Sequence, residues 1–240
     1  MTRRIKQVAY GSFYIVFLFT VVYGIYIATL KPPASCFDQK MNQDETEIDC
    51  GGQFCESCDI RRLLPIEGSL ISVFPAPSDN TAIALIEFKN LNSTYGATSF
   101  TYHIGTYEGT SFIYPSEVKQ KTLVNLPFAP DAITNQVVTI SDVKWLIAES
   151  LSIPRIQVSR VNLDNGIITG NLKNVGSFPI LNATVNGFVE ARDKKIVGAG
   201  RTLLRDLAPS EERSFQIVVP LPAGFEADAG TPRVSVEAQR

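Results

Sequence analysis

The sequence has little of the chemistry that most enzyme sites require. Its 240 residues include one histidine, one tryptophan and two methionines, and its four cysteines all fall between residues 36 and 58. His103 lies in an alternating apolar pattern without metal-ligating residues at a useful spacing, which favours a structural role. We therefore expect no catalytic residues, no cofactor and no enzymatic activity.

A surplus of basic residues is also lacking. The chain has 22 Lys and Arg against 24 Asp and Glu, for a formal net charge of −2. Nucleic-acid-binding proteins normally present a basic face, so a nucleic-acid partner is not expected. The basic cluster that stands out is Arg3, Arg4 and Lys6, directly before a long uncharged run.

That run is Gln7–Leu30, which holds 24 residues without a charge. A helix rises about 1.5 Å per residue, so roughly 20 apolar residues cross the hydrocarbon core of a bilayer. We predict a transmembrane helix at residues 7–30, in contact with membrane lipid. By the positive-inside rule, residues 1–6 lie in the cytoplasm and residues 31–240 lie outside it.

Two alternatives compete with an uncleaved signal-anchor. A cleaved signal peptide usually has 7–15 apolar residues and a small-x-small cleavage site, and this run is longer and lacks such a site. A lipoprotein would use Cys36, which follows the small residues Ala34 and Ser35, but Pro33 stands where an aliphatic residue is usual. All three interpretations leave the rest of the chain outside the cytoplasm.

The cysteines form the most specific motif. Cys36, Cys50, Cys55 and Cys58 have the spacing C-x13-C-x4-C-x2-C. An even number of cysteines in an exported segment predicts disulfides, here two bridges with three possible pairings. Residues 31–65 are too few to form a core, so cross-links are expected to hold them. The glycine pair after Cys50 predicts a tight turn with positive φ.

Two metal sites are alternatives to a purely structural role for this segment. The four thiolates could bind zinc, because a C-x2-C pair is a knuckle spacing. Calcium could be held by closely spaced oxygen ligands, for which the candidates are Asp38, Asn42, Glu45 and Asp49. Against calcium, the D-x-D-x-D-G pattern of an EF-hand is absent, and such acids also form solvated, turn-rich faces.

The same residues carry a resemblance. The pattern C-x-D-x3-N-x2-E-T-x2-D-C-G-G-x2-C-x2-C resembles a short repeat of secreted and surface proteins of bacteria and archaea. One residue is added between Gly52 and Cys55, and Gln39 replaces the usual glycine. The resemblance covers about a tenth of the chain and implies a surface location rather than an activity.

From residue 66 onward the sequence has short alternating apolar runs, broken by Pro, Gly, Asn and Asp. This pattern is typical of antiparallel strands in a sandwich. In one run Leu181, Ala183, Val185 and Val189 share a face, whereas the opposite face is polar except for Phe188. We predict a mainly β protein with an N-terminal transmembrane helix, a small disulfide knot and two tandem immunoglobulin-like β-sandwiches.

Four short matches suggest that the two sandwiches arose by duplication. Their offsets stay between 79 and 84 residues. The matched pairs are 88–90 with 172–174, 121–123 with 201–203, 129–130 with 208–209, and 137–138 with 218–219. They predict domains at residues 66–151 and 154–240. Residues 144–150 correspond by order to residues 233–240, which favours a last strand of the first domain over an amphipathic helix.

Each predicted domain also resembles a known family. Gly166–Ser177, Asp193 and the Leu207–Glu211 segment are similar to FxLYD-type domains, although Glu190-Ala191-Arg192-Asp193 replaces the usual Leu-Tyr-Asp. Lys89–Gly96 followed by Phe100–Tyr102 is similar to late-embryogenesis-abundant type 2 domains, with Leu91 in place of a proline. Both families imply immunoglobulin-like sandwiches on exported or membrane-anchored proteins, and neither brings a catalytic site.

These features favour a non-enzymatic surface protein that presents its sandwiches to an unknown protein partner or acts as a structural spacer. The alternative is an accessory subunit of a larger envelope assembly, for secretion, pilus formation or transport. Two Asn-x-Ser/Thr triplets, at Asn92 and Asn182, also match the glycosylation sequon.

Overall fold

The computed structural model describes residues 3–27, 35–77, 80–222, 224–225 and 230–240. The chain divides into two compact units, Met1–Leu63 and Leu64–Arg240. Residues 1–2 of the predicted cytoplasmic N-terminus and residues 28–34, where the predicted span ends and the cysteine-rich segment begins, lie outside the described residues.

The N-terminal unit begins with helix α1, Arg3–Ile25. Within it, Ile5–Ile25 is long and apolar enough to cross a membrane, and none of that stretch is buried by other parts of the protein. No proline interrupts the backbone hydrogen bonds, so the run forms one continuous helix although branched and aromatic side chains dominate it. The predicted helix is confirmed over these residues.

The cysteine-rich segment contains two disulfides, as predicted. The pairs are Cys36–Cys55 and Cys50–Cys58, which decides among the three pairings. Gly51 and Gly52 have φ of +79° and +74°, which confirms the predicted turn. A side chain at either glycine would collide with Thr46 or Asp44. The short helix α2, Cys58–Arg61, ends the segment.

The disulfides remove two of the alternatives. The sulfur of Cys36 is bonded to Cys55 and so cannot also carry a lipid thioether. All four cysteines are paired and none is free. A zinc site needs thiolates, so the zinc interpretation is wrong for the oxidised protein.

The first half of the C-terminal unit is a sandwich of two three-stranded antiparallel sheets. Their strand orders are β1-β2-β5 and β4-β3-β6. A short helix, α3 (Pro130–Ile133), lies between β5 and β6, and a 3-10 turn at Ala148–Ser150 follows β6. The strands are β1 Glu67–Pro75, β2 Ala82–Lys89, β3 Tyr95–Ile104, β4 Tyr107–Ile113, β5 Val118–Leu126 and β6 Val138–Ile147.

The second half repeats this architecture. Its sheets have the orders β7-β8-β11 and β10-β9-β12, which place each strand as in the first sandwich. The strands are β7 Ile156–Asp164, β8 Ile167–Asn174, β9 Ile180–Glu190, β10 Ile196–Leu207, β11 Glu212–Val218 and β12 Thr231–Gln239. Each named strand pairs only within its own half, so the mainly β, two-sandwich prediction is confirmed.

Each sandwich has its own core. In the first, the ring of Phe88 lies 5.0 Å from that of Phe100 and 5.1 Å from that of Tyr102, all three fully buried. In the second, Ile168, Leu172 and other inward-facing aliphatic side chains meet between the sheets. Leu181, expected on the inner face of β9, is 51 % exposed, because the alternation begins only at Ala183.

The common topology tests the four sequence matches individually. Residues 88–90 and 172–174 both end the second strand of a sandwich, and residues 144–147 and 233–239 both lie in the sixth. The other three matches join elements with different places in the topology. Residues 121–123 lie in β5, for example, whereas residues 201–203 lie in β10. The constant offset is therefore not a structural alignment, and duplication stays a prediction.

Candidate functional site

The predicted calcium ligands are engaged in hydrogen bonds within the cysteine-rich segment. The Asp49 carboxylate accepts the backbone N–H of Gln39, at 2.9 and 3.1 Å from its two oxygens. Oε2 of buried Glu45 accepts the N–H of Asn42 at 3.0 Å. These carboxylates act as caps for backbone groups that the short segment cannot pair in regular structure.

Asp38 accepts the side-chain amide of Asn42 at 2.8 Å. Asp38, Glu45 and Asp49 do not converge as one group of ligands within the described segment. Among the described residues, two clusters have metal-ligand spacing, and each combines one glutamate with two disulfide-bonded cysteines. The geometry favours a structural role for the four residues, and calcium binding stays a prediction.

His103 lies on β3 beside Glu108 of β4, with Nδ1 4.0 Å from the carboxylate. Its side chain is 37 % exposed and pairs with a residue of the neighbouring strand. Among the described residues, no metal-ligand cluster includes His103. Trp145, on β6, packs against the core of the first sandwich. The position of His103 agrees with the structural role expected for it.

The two sequons differ in geometry. Nδ2 of Asn92 donates to the carbonyl of Leu64 at 2.8 Å, and Oδ1 accepts the N–H of Leu64 at 2.9 Å. A glycan on this nitrogen would disrupt that pairing. Asn182 is exposed on β9, near the start of the strand.

A buried polar network joins the two sandwiches, and its centre is Asn186 on β9. Oδ1 of Asn186 accepts the N–H of Thr122 at 3.0 Å, and Nδ2 donates to Glu237 at 2.9 Å. Glu237 in turn pairs with Nζ of Lys121 at 2.9 Å. Thr122 lies on β5, an edge strand, so Asn186 occupies a backbone donor that would otherwise be open to another chain.

A buried apolar cluster belongs to the same junction. Ile83, Leu85, Phe188 and Ala199 form one buried cluster between the outer faces of sheets β1-β2-β5 and β10-β9-β12. This contact explains Phe188, whose large side chain stands on the otherwise polar face of β9. Two further bonds cross the junction, from Tyr114 Oη to the carbonyl of Ala238 and from Ser235 Oγ to the carbonyl of Gln120.

Lys119 lies in the first sandwich beside this junction, and its side chain is only 2 % exposed. Nζ donates to the carbonyl of Phe112 at 2.6 Å and stands 3.1 Å from the centre of the Phe112 ring. Burial lowers the pKa of Lys119 to about 8, although Glu117, 3.8 Å away, partly opposes the shift. Burial likewise raises the pKa of Tyr114 above its usual value.

Two buried asparagines have the same role in the two sandwiches, and the sequence analysis missed the hydrogen bonds that their side chains make. Asn90 donates to the carbonyls of Tyr95 and Tyr114, at 2.8 and 3.0 Å. Asn174 donates to the carbonyls of Phe178 and Leu207, at 2.9 and 3.1 Å. Each amide therefore ties the end of the second strand to one loop carbonyl and to one carbonyl at the end of another strand.

The loop before the fifth strand is also repeated. It reads Pro-Ser-Glu at residues 115–117 and again at residues 209–211. Both serines have positive φ, and each glutamate accepts a backbone N–H three residues back, from Tyr114 at 2.6 Å and Ala208 at 2.8 Å. Bonds from Ala208 and Arg213 hold the pKa of Glu211 below its ordinary value. The Pro-Ser-Glu tripeptide was the signal that could have aligned the two sandwiches.

A polar cleft opens beside the buried network, with a volume of about 280 Å³. Its floor contains the Lys121–Glu237 pair, and hydroxyl and amide side chains from both sandwiches form its walls. The cleft thus combines hydrogen-bond donors and acceptors with a charge pair that is mostly withdrawn from solvent.

No family model matches the chain, and no curated protein matches it either. The resemblances to FxLYD-type domains, to late-embryogenesis-abundant type 2 domains and to the cysteine-rich surface repeat stay sequence-based expectations.

Proposed function

We propose that this chain is a non-enzymatic, single-pass membrane protein that holds two β-sandwiches as a stiff pair on the outer side of the membrane. In this role the sandwiches present their surfaces to a protein partner or set a fixed distance from the bilayer. The observation that carries the proposal is the buried junction between the sandwiches, because flexible tandem domains do not need one.

The anchor supports the membrane part of the proposal. Helix α1 contains the Ile5–Ile25 stretch, whose length and composition suit a bilayer. Arg3 and Lys6 stand at its N-terminal end, which favours a cytoplasmic N-terminus. The disulfides support placement outside the cytoplasm, since thiols are normally kept reduced inside the cell.

The junction supports the stiffness. The Lys121–Glu237 pair is mostly buried, with side-chain exposures of 15 % and 4 %, and Asn186 is fully buried. Opening the junction would expose this charge pair without its present partners and would also expose the cluster around Phe188. Hinge motion between the sandwiches is therefore expected to be small.

Protease protection tests the sidedness. We expect protease added to intact cells to digest residues 64–240, whereas an epitope tag at the N-terminus becomes accessible only after the membrane is opened. Protection of residues 64–240 in intact cells would contradict the proposal. The same membranes, solubilised mildly, test the alternative role, because stable co-purification of other membrane subunits would indicate an accessory subunit.

Spin-label distance measurements test the stiffness. Thr139→Cys and Thr169→Cys place labels on exposed positions in different sandwiches, and the native cysteines are already paired. We expect a narrow distance distribution, which broadens when Asn186→Ala is added. A broad distribution in the otherwise unchanged protein would show that the sandwiches move independently.

A further inference from the structure

The polar cleft between the sandwiches has the features of a small-molecule site. Thr98 and Thr110 of the first sandwich line it opposite Asn182, Thr184 and Gln239 of the second. Thr98, Thr110, Asn182 and Gln239 are exposed, and Thr184 is half-buried. These side chains can both donate and accept hydrogen bonds.

The floor of the cleft is charged but balanced. Lys121 and Glu237 face each other at 2.9 Å, and Glu237 also accepts the amide of Asn186. The two charges cancel, so the floor favours neither an anion nor a cation. It still offers strongly polarised donors and acceptors in a place where solvent competes weakly.

We propose that this cleft binds a neutral saccharide of one or two rings. A sugar ring offers hydroxyl groups that donate and accept at once, which matches walls built from threonine, asparagine and glutamine. Phe112 also lines the cleft, but the Lys119 ammonium stands 3.1 Å from the centre of its ring, so the assignment rests on the polar side chains. The volume of about 280 Å³ is just below the roughly 300–1,000 Å³ usual for small-molecule sites, which suits a short saccharide.

This assignment goes beyond the presentation role, since it gives the sandwich pair a ligand of its own. It depends on the junction being closed, because both sandwiches contribute walls. It does not depend on which side of the membrane the sandwiches occupy.

Binding is tested with the full chain in lipid nanodiscs, because glycoside detergents would compete for the site. The protein is produced in a host without N-glycosylation, so that Asn182 carries no glycan. Saturation-transfer NMR measures binding of glucose, galactose, N-acetylglucosamine and maltose, with glucuronate as the charged comparison. We expect millimolar binding of at least one neutral sugar and weaker binding of glucuronate.

The variant Thr184→Val with Asn182→Ala removes hydrogen-bonding groups from the wall of the cleft, at a half-buried and an exposed position, and we expect at least a tenfold loss of affinity. Thr169→Val is the matched control, an exposed threonine on β8 in the other sheet of the same sandwich, and should leave binding unchanged. Circular dichroism melting checks that both variants fold.

Three results would overturn the assignment. They are no signal from any neutral sugar at 50-fold the concentration of the protein or above, equal binding by the folded double variant, or a preference for glucuronate. None of these results bears on the protease-protection experiment, so the sidedness of the protein is judged separately.

Discussion

Replacing Lys119 by methionine should remove a pH dependence from the stability of the first sandwich. The folded pKa of Lys119 is about 8, below the ordinary value of 10.5, because the ammonium group is buried. Between these two values the unfolded chain binds more protons than the folded chain, so stability rises with pH. The cost of the buried charge is fully present below pH 8 and is lost as the pH passes 10.5.

The size of the effect follows from linkage. The two pKa values correspond to a cost of about 3 kcal/mol at pH 7 and about 1 kcal/mol at pH 9.5. The wild-type free energy of unfolding should therefore gain about 2 kcal/mol relative to Lys119→Met between pH 7 and pH 9.5. Higher pH is avoided because Tyr102 and Tyr114, with raised pKa values, would add the opposite dependence.

The assay is urea denaturation of the full chain followed by the fluorescence of Trp145, the single tryptophan, which packs in the same sandwich. The matched control is Lys89→Met, because Lys89 is exposed on β2 of that sandwich. Its unfolding free energy should follow the wild type at every pH. Equal pH slopes for wild type and Lys119→Met would refute the assigned cost of burial.

Three further perturbations test the other conclusions. Glu237→Ala leaves Lys121 without its buried partner and should cost about 3–5 kcal/mol, measured by urea denaturation; a loss below about 1 kcal/mol would show a solvated junction. Asn174→Ala removes two hydrogen bonds, to the carbonyls of Phe178 and Leu207, and should cost about 2–4 kcal/mol. A similar loss is expected for Asn90→Ala, and a neutral result at both positions would contradict their common role. Reducing the Cys36–Cys55 bridge, which spans 19 residues, should destabilise the segment by about 3 kcal/mol. The loss would be measured as faster hydrogen exchange at the Gly51 amide, which donates to the carbonyl of Glu56. Unchanged exchange would show that other contacts hold the turn.

Sequence patterns were most informative where the physics is local. The uncharged run Gln7–Leu30 predicts a membrane-spanning helix from two quantities alone, the helix rise per residue and the bilayer thickness. The glycine pair after Cys50 needs only the steric cost of positive φ. Alternation identified β9 as a strand, and most of its inner face was assigned correctly.

Relationships between residues far apart in the chain were harder to predict from the sequence. The disulfide pairing stayed open among three choices because spacing does not fix which sulfurs meet. The repeat alignment failed after its first match because the two sandwiches differ in length between the buried asparagine and the Pro-Ser-Glu loop. The loop begins 25 residues after Asn90 in the first sandwich and 35 residues after Asn174 in the second. A single offset could not follow that insertion, whereas the paired Asn and Pro-Ser-Glu signals could.

The sequence by itself determined the apolar helix, the bridged cysteines and the two sets of strands, since each depends on residues close together in the chain. Only the tertiary structure decided how the sandwiches meet. Asn186 and Phe188 stand on a strand face that alternation assigns to solvent, and a second sheet covers it. Lys121 and Glu237, separated by 116 positions, become a buried pair only there. The polar cleft beside them exists because both sandwiches contribute its walls, and no local pattern in either one could have shown it.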